Sequence, residues 1–334
     1  MVRVWFNHWF STSYRLISLM KQDEEEELYV IGTNLEPHSI IQKVCDEWYA
    51  EPRLDGEEYI DYCTAFCKEH NIDVFVPRRN MAEISKNIQR FHDIKVKVMV
   101  DDYDMIKLLG DKADTYAFFK DCAQIYIPDY YKVNTAAAFE QAYEALKSKY
   151  RQVCVKFVKD EGGMSFRKIT QCADRFQRLR VYQGSEILYD EYIEILQSQE
   201  SFDDLMVMPY LAGNEISVDC LNTEQGLIAI PRDKGAARHE RVFYDEKLLD
   251  MVKAVMEKVK LEYPCNIQFK YMEDIPYLLE INTRMSGGLQ MGCMAANVNI
   301  PNIAFNKLLG KSVMWKQQKK ELFVSYIEIP DIVK

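Results

Sequence analysis

The oxygen donors with the most telling spacing lie in the stretch Cys265 to Gly288. It reads as two strands joined by a polar turn at Glu273-Asp274, with Asn266-Ile267-Gln268-Phe269 on one and Tyr277 to Asn282 on the other. Alternate residues of a strand share a face, so Glu280 and Asn282 point the same way and Leu279 and Ile281 the other. A hairpin pairing would add Gln268 to the polar face. One carboxylate and two amides are hard oxygen ligands of the kind Mg²⁺ takes while it also holds phosphate. Arg284 follows two residues on, and Ser286-Gly287-Gly288 lets backbone come close to a ligand. An ordinary amphipathic hairpin accommodates Glu280 alone equally well, so the set needs cationic partners elsewhere.

Two lysines answer that need. Lys112 falls in the first turn of a predicted helix after Gly110-Asp111, where a cation opposes the helix dipole unless an anion offsets it. Lys156 is the single charge in the predicted strand Gln152 to Val158. A turn containing Gly162 and Gly163 comes next, and then a return strand at 167–169. Such a turn can fold over phosphates, although it is no P-loop, because a strand follows it and no G-x-x-x-x-G-K-[ST] occurs. Met208-Pro209-Tyr210-Leu211 reads as a linker whose proline excludes a central sheet position. The run 231–241 reads as a basic loop in an acidic chain, with Arg232, Lys234 and Arg238 as candidates for an anionic substrate.

The elements that must position these groups alternate. Strands at 2–6, 28–31, 73–76 and 96–100 are separated by helical segments near 38–48, 57–70 and 80–91, which predicts a parallel doubly wound sheet. Asn7-His8-Trp9-Phe10 stands where a dinucleotide fold carries glycines, so no dinucleotide is expected there. Further helices are expected at 135–149, 245–261 and 301–309, and an edge strand in the tail at 321–329.

Composition bounds the function. The chain has 334 residues, 48% of them hydrophobic, and 42 basic against 52 acidic residues for a formal charge of −10. That size suits two or three domains, and that charge argues against nucleic acid or an anionic membrane as partner. The nine cysteines show neither C-x-x-C pairs nor zinc spacing, as expected of reduced thiols in the cytoplasm. No apolar run is long enough to span a membrane.

In order and interval, GDK at 110–112, VKFVKDEGG at 155–163, MPYLAGNEISVD at 208–219, and NIQF at 266–269 with LEINTRMSGG at 279–288 resemble the ATP-grasp superfamily. The likeness covers residues 1–312 and is closest to the branch of carbamoyl-phosphate synthase large chains and pyrrolysine-biosynthesis-type ligases. It implies an α/β chain, α+β in its ATP-grasp part, with a Rossmann-like pre-ATP-grasp domain at 1–108 and an ATP-grasp domain at 109–312. The latter divides into a lid subdomain at about 126–207 and a C-terminal subdomain at about 208–312, and a tail with an edge strand follows at 313–334. By the same resemblance, ATP lies between residues 112–210 and 211–312. Lys112 and Lys156 hold phosphates, and the 160–166 turn with Gly162 and Gly163 is the lid. Backbone at Met208, Tyr210 and Leu211 binds adenine, although the family usually carries an acidic residue at the Met208 position. Glu215 takes the ribose, Gln268, Glu280 and Asn282 bind two Mg²⁺ (or Mn²⁺), and Arg284 faces the transferred phosphoryl group. The implied reaction joins a small-molecule carboxylate to an amine, with an amino acid as the expected substrate class, through an acyl phosphate. Bicarbonate-using carboxylation and a non-catalytic nucleotide-binding module are the alternatives, and a homodimer is compatible with all three.

Overall fold

The computed structural model describes every residue except 23–25, 161–162, 172–175, 177–183, 236–238, 328 and 334. The chain forms two compact units. The first contains Met1–Leu109, Asn214–Gln268 and Ile281–Lys334, and the second contains Gly110–Gly213 and Phe269–Glu280. Residues 1–109 are therefore not a unit of their own. The reason is a shared core: Val4, Phe6, Leu16, Ile17 and Met20 are buried in one cluster with Leu221, Ile228, Ile230 and Phe305.

The N-terminal part of the first unit is a sheet of β1 (Val2–Asn7), β2 (Leu28–Asn34), β3 (Glu47–Ala50), β4 (Val74–Val76) and β5 (Lys97–Val98). Its order is β3-β2-β1-β4-β5 and every pairing is parallel, the doubly wound arrangement predicted. One expectation fails: the segment 38–48 is not an α-helix but a short 3-10 turn at Ile40–Val44 followed by β3. Edge position explains it, since β3 pairs on one side only and shows no alternation strong enough to betray a strand. At the end of β1, where a dinucleotide fold opens a glycine turn, the Asn7 side chain fills the corner. Its Oδ1 accepts from Arg78 N at 2.6 Å and its Nδ2 donates to the Tyr59 hydroxyl at 2.6 Å.

Asp101, shortly after β5, is 6% exposed. Its Oδ1 accepts from Glu262 N at 2.6 Å while Oδ2 has no partner. Burial pushes its carboxyl up to about 6. Because the folded state holds this proton more tightly than the unfolded chain, the fold is most favoured by this group below its ordinary range and loses that advantage as pH rises through about 6. Asp101→Asn is expected to stabilise the protein by about 1–3 kcal/mol near pH 8 and not at all below about pH 4. Denaturant melts at the two pH values check it.

The second unit is built on β6 (Tyr131–Val133), β7 (Val153–Phe157), β8 (Arg167–Thr170), β9 (Glu186–Leu188) and β10 (Leu205–Pro209), in the order β6-β10-β7-β8-β9. Strand alternation splits its faces. Val153, Val155, Leu205 and Val207 pack with helices Ala136–Lys147 and Tyr189–Gln197, whereas Cys154, Met206 and Met208 cluster with Ala113, Tyr116 and Leu211. The supposed linker is thus partly strand, and a central one. Pro209 is tolerated because β6 pairs only as far as Val207, so the proline meets β7 alone at the strand's last position.

The chain then returns to the first unit with β11 (Glu215–Thr223), β12 (Gly226–Asp233) and β13 (His239–Val242), and ends on β16 (Leu322–Ser325). Before the tail, β14 (Cys265–Met272) and β15 (Ile275–Asn282) run out of the first unit and back. The sheet order is β15-β14-β11-β12-β13-β16. Helix Glu246–Val259, capped by the Asp245 side chain on Leu248 N at 2.8 Å, and helix Ile300–Leu308 fall where their apolar periodicity predicts. Among the described residues no helix is long and apolar enough to cross a membrane, and no disulfide forms.

Candidate active site

In the second unit, helix Lys112–Phe119 starts at Asp111, whose side chain accepts from Ala113 N and Asp114 N and so fixes the first turn. Lys112 is 6% exposed. Its Nζ donates to Asp160 O at 2.6 Å and lies 3.6 Å from Glu280 Oε2, so the cation misplaced at a helix start does meet an anion. Lys156 is 7% exposed and shares the Cys154–Met206–Met208 face of the sheet, with its Nζ 5.9 Å from the centre of the Tyr116 ring. Lys168 and Lys132 stand opposite Cys154 and Met206 on the same face, and an apolar surface edged by ammonium groups suits a flat ring with an anion at one end. Burial pushes the Cys154 thiol up to about 12, so this side chain packs as a neutral thiol.

Sequence reasoning missed two residues here. Tyr116 underlies Lys156, and its hydroxyl donates to Leu279 O at 3.1 Å, next to Glu280. Lys168, ion-paired with Glu186 at 2.9 Å, stands 5.0 Å from the centre of the Tyr210 ring. Its place on the return strand after the glycine turn was the available signal. Gly163 adopts φ +67°, a backbone that favours glycine. Gly162 lies outside the described residues. Asp160 Oδ2 accepts from Ser165 N at 2.8 Å, which ties together the two ends of that turn.

In the first unit the predicted residues divide. Arg232 is not in a mobile loop but in β12, and is 1% exposed. Nε donates to Asp219 Oδ2 at 2.7 Å, Nη2 to Ser286 Oγ at 2.9 Å and Ser217 Oγ at 3.3 Å, and Nη1 to Glu240. The assignment of Arg232 as a loop residue reaching for substrate is corrected by that burial: the guanidinium is consumed by protein partners. A side-chain carbon on Gly288 would fall 2.1 Å from Arg232 Nη1, so only glycine lets the arginine pass beneath that turn. Ser286 Oγ also donates to Asp219 Oδ1 at 2.6 Å, and Asn266 Nδ2 reaches the same oxygen at 2.8 Å. Gln268 joins through its Nε2, which donates to Asn266 Oδ1 at 3.3 Å and leaves its own carbonyl oxygen as the ligand end. Arg232→Met would leave Asp219 buried without its cation, and is expected to cost about 3–5 kcal/mol, read as a shift in urea midpoint.

Lys234 and Glu215, assigned to opposite ends of the reaction, hold each other at 2.6 Å on half-exposed side chains. Arg238 lies outside the described residues. Asn282 and Arg284 are half-buried. The Arg284 guanidinium lies 5.6 Å from the centre of the Phe10 ring, which fixes the direction it can point. Glu280 and Asn282 occupy alternate positions of β15 with buried Ile281 between them. No cluster of three or more His, Cys, Asp or Glu suited to a metal occurs among the described residues. The oxygens that could hold a cation here are the amides of Gln268 and Asn282 and the carboxylate of Glu280.

Comparison with known proteins follows this geometry. Residues 201–330 match the model of a family described as ATP-grasp in the biosynthetic pathway with Ter operon. No curated protein sequence matches the chain. N5-carboxyaminoimidazole synthetase from Staphylococcus aureus, complexed with ADP, superposes with a TM-score of 0.72 at 12% identity, over 98% of this chain and 82% of that one. The biotin carboxylase domain of Hydrogenobacter thermophilus 2-oxoglutarate carboxylase, in complex with MgADP and bicarbonate, gives 0.66 at 17% identity, over 94% and 71%. Campylobacter jejuni biotin carboxylase gives 0.67 at 13%, over 94% and 72%. The chain thus shares its fold with these proteins, and residues 201–330 match an ATP-grasp family.

Proposed function

We propose that this chain is an ATP-dependent ligase that activates a carboxylate and joins it to an amine. The observation that carries the reading is buried Lys112 held 3.6 Å from Glu280, in the unit whose apolar sheet face bears Lys156. A carboxylate oxygen attacks the γ-phosphorus, the bond to the β–γ bridging oxygen breaks, and ADP leaves with that electron pair. The amine nitrogen then attacks the acyl carbon and displaces phosphate, which carries away the former carboxylate oxygen. Lys112 and Lys156 neutralise phosphate charge, Met208 to Leu211 supply backbone to the purine, and Glu215 takes the ribose once Lys234 releases it. Gln268, Glu280 and Asn282 would hold two Mg²⁺ with the phosphate oxygens, and the same donors accept Mn²⁺. When bound, the ions supply charge neutralisation. Arg284 stabilises the phosphoryl group in flight. Arg232 acts at one remove, by fixing Ser286 and the glycine turn. Reduced, mostly buried cysteines are in keeping with a cytoplasmic location.

Bicarbonate as the activated carboxylate is the second reading, favoured by the 2-oxoglutarate carboxylase domain, whose structure includes bicarbonate. Phosphate release from ATP and Mg²⁺ separates the two: stimulation by an amino-acid pool supports ligation, and stimulation by bicarbonate alone supports carboxylation. No stimulation by either contradicts both. Lys156→Ala is expected to raise the ATP Kd about 10- to 100-fold, because a charge-assisted bond to phosphate is lost. An unchanged Kd by calorimetry would remove Lys156 from the site.

A further inference from the structure

We propose that Arg78 and Phe10, at the ends of β4 and β1 in the first unit, hold the carboxylate that is to be activated. The inference rests on the ligase reading above and adds to it the group that binds the acceptor. With Arg232 taken by Asp219, that carboxylate needs another cation. In the order β3-β2-β1-β4-β5, strands are added outward on one side from β1 and on the other from β4, so the winding reverses between these two. A parallel sheet opens a crevice at such a reversal, beyond the carboxyl ends of its strands. Phe10 follows β1 and Arg78 follows β4, both at that end. Trp9 Nε1 donates to Val76 O at 3.0 Å and ties the two turns together, while buried Asn7 fixes the backbone of Arg78.

The adjacent arginines Arg78 and Arg79 differ in what they touch. Arg79 is spent on the protein: Nη1 donates to Glu51 Oε1 at 3.2 Å and to Pro52 O at 3.1 Å, and Nη2 to Asp55 Oδ1 at 3.1 Å. Arg78 is half-buried, with its guanidinium carbon 5.9 Å from the centre of the Phe10 ring. Arg284 faces the same ring at 5.6 Å. One aromatic ring therefore sets Arg78 beside the arginine that the ligase reading places at the transferred phosphoryl group. A carboxylate must come within bonding approach of that group, so its anchor has to stand close to Arg284. A guanidinium offers a carboxylate a planar fork, and the Phe10 ring offers an apolar wall to the carbon that bears it. The glycine turn completes the wall. A side-chain carbon on Gly287 would fall 3.1 Å from Thr12 Oγ1 and 3.5 Å from Phe10 Cε2, so the turn fixed by Arg232 packs directly on the segment that carries Phe10.

Ligand-observed NMR on the full chain with ADP and Mg²⁺ tests this without turnover. The probes are an amino-acid pool, followed by saturation transfer, and ¹³C-bicarbonate, followed by line broadening, and the arm that responds identifies the source of the carboxylate. Arg78→Ala should weaken that binding about 10- to 100-fold, with the ADP Kd changed by less than about 3-fold. Arg78→Lys keeps the charge without the fork and should recover only part of the affinity. Wild-type carboxylate affinity in both variants, or a wild type that binds neither probe, would overturn the proposal. Carboxylate binding that depends on Arg78 but never stimulates phosphate release from ATP would support the site and overturn the ligase reading instead.

Discussion

Glu280→Gln is expected to lower ATP turnover by about 10³-fold or more while leaving the protein folded. The substitution keeps the shape and one oxygen but removes the only carboxylate among the three ligand candidates, so the ions lose their one fixed anion. Glu280 also stands 3.6 Å from Lys112, and the lysine would lose its partner in the ligand-free protein. That loss is small for folding. The Glu280 side chain is 22% exposed, and Lys112 keeps its bond to Asp160 O, so a change within about 1 kcal/mol is anticipated. Nucleotide affinity should fall less than rate, because Lys112 and Lys156 still face the phosphates. ADP release measured against a thermal melt of the same sample decides the matter: an intact melt with wild-type turnover would remove Glu280 from the metal site.

Arg284→Ala should lower kcat by about 10²- to 10³-fold with every carboxylate tried, with the ATP Kd changed by less than about 3-fold. The guanidinium is half-buried against the Phe10 ring and its Nη1 donates to Met285 O at 3.4 Å, so its position is set by neighbours on its own unit. A charge held in place costs no reorganisation when charge develops on the transferred group, and its benefit falls on rate and not on binding. Arg284→Lys restores the charge but not the planar fork, and should recover only part of the rate. Equal losses in Kd and kcat would assign Arg284 to ground-state nucleotide binding instead.

Legibility followed the reach of local rules. The parallel sheet could be read because β1, β2 and β4 are buried, β-branched or aromatic runs, and nothing competes with that signal. The start of helix Lys112–Phe119 was marked by Asp111, whose cap is a local bond. β3 was missed because an edge strand buries little and its sequence, EWYA, carries no alternation. Pro209 misled because the rule against proline concerns paired positions, and only the fold shows that β6 stops short of it. Arg232 was the largest misreading. A run of cations looks solvated when its partners are distant in sequence, and Asp219, Ser217 and Ser286 lie on other elements. Conversely, Lys112 drew notice because a cation at a helix start breaks a local expectation, and Glu280 because strand alternation sets it on one face with Asn282. Such a breach is where sequence speaks of ligands.

The central claim, that a carboxylate receives the γ-phosphoryl group, is tested most directly by oxygen transfer. Wild-type protein is incubated with ATP, Mg²⁺ and an amino-acid pool, or bicarbonate, in which the carboxyl oxygens are a heavy isotope, and the released phosphate is analysed by mass spectrometry. The account predicts one heavy oxygen in each phosphate formed in step with ADP, and about 10³-fold slower formation of that phosphate with Glu280→Gln. Phosphate that carries only ordinary oxygen while ADP accumulates would show that water, and not a carboxylate, takes the phosphoryl group.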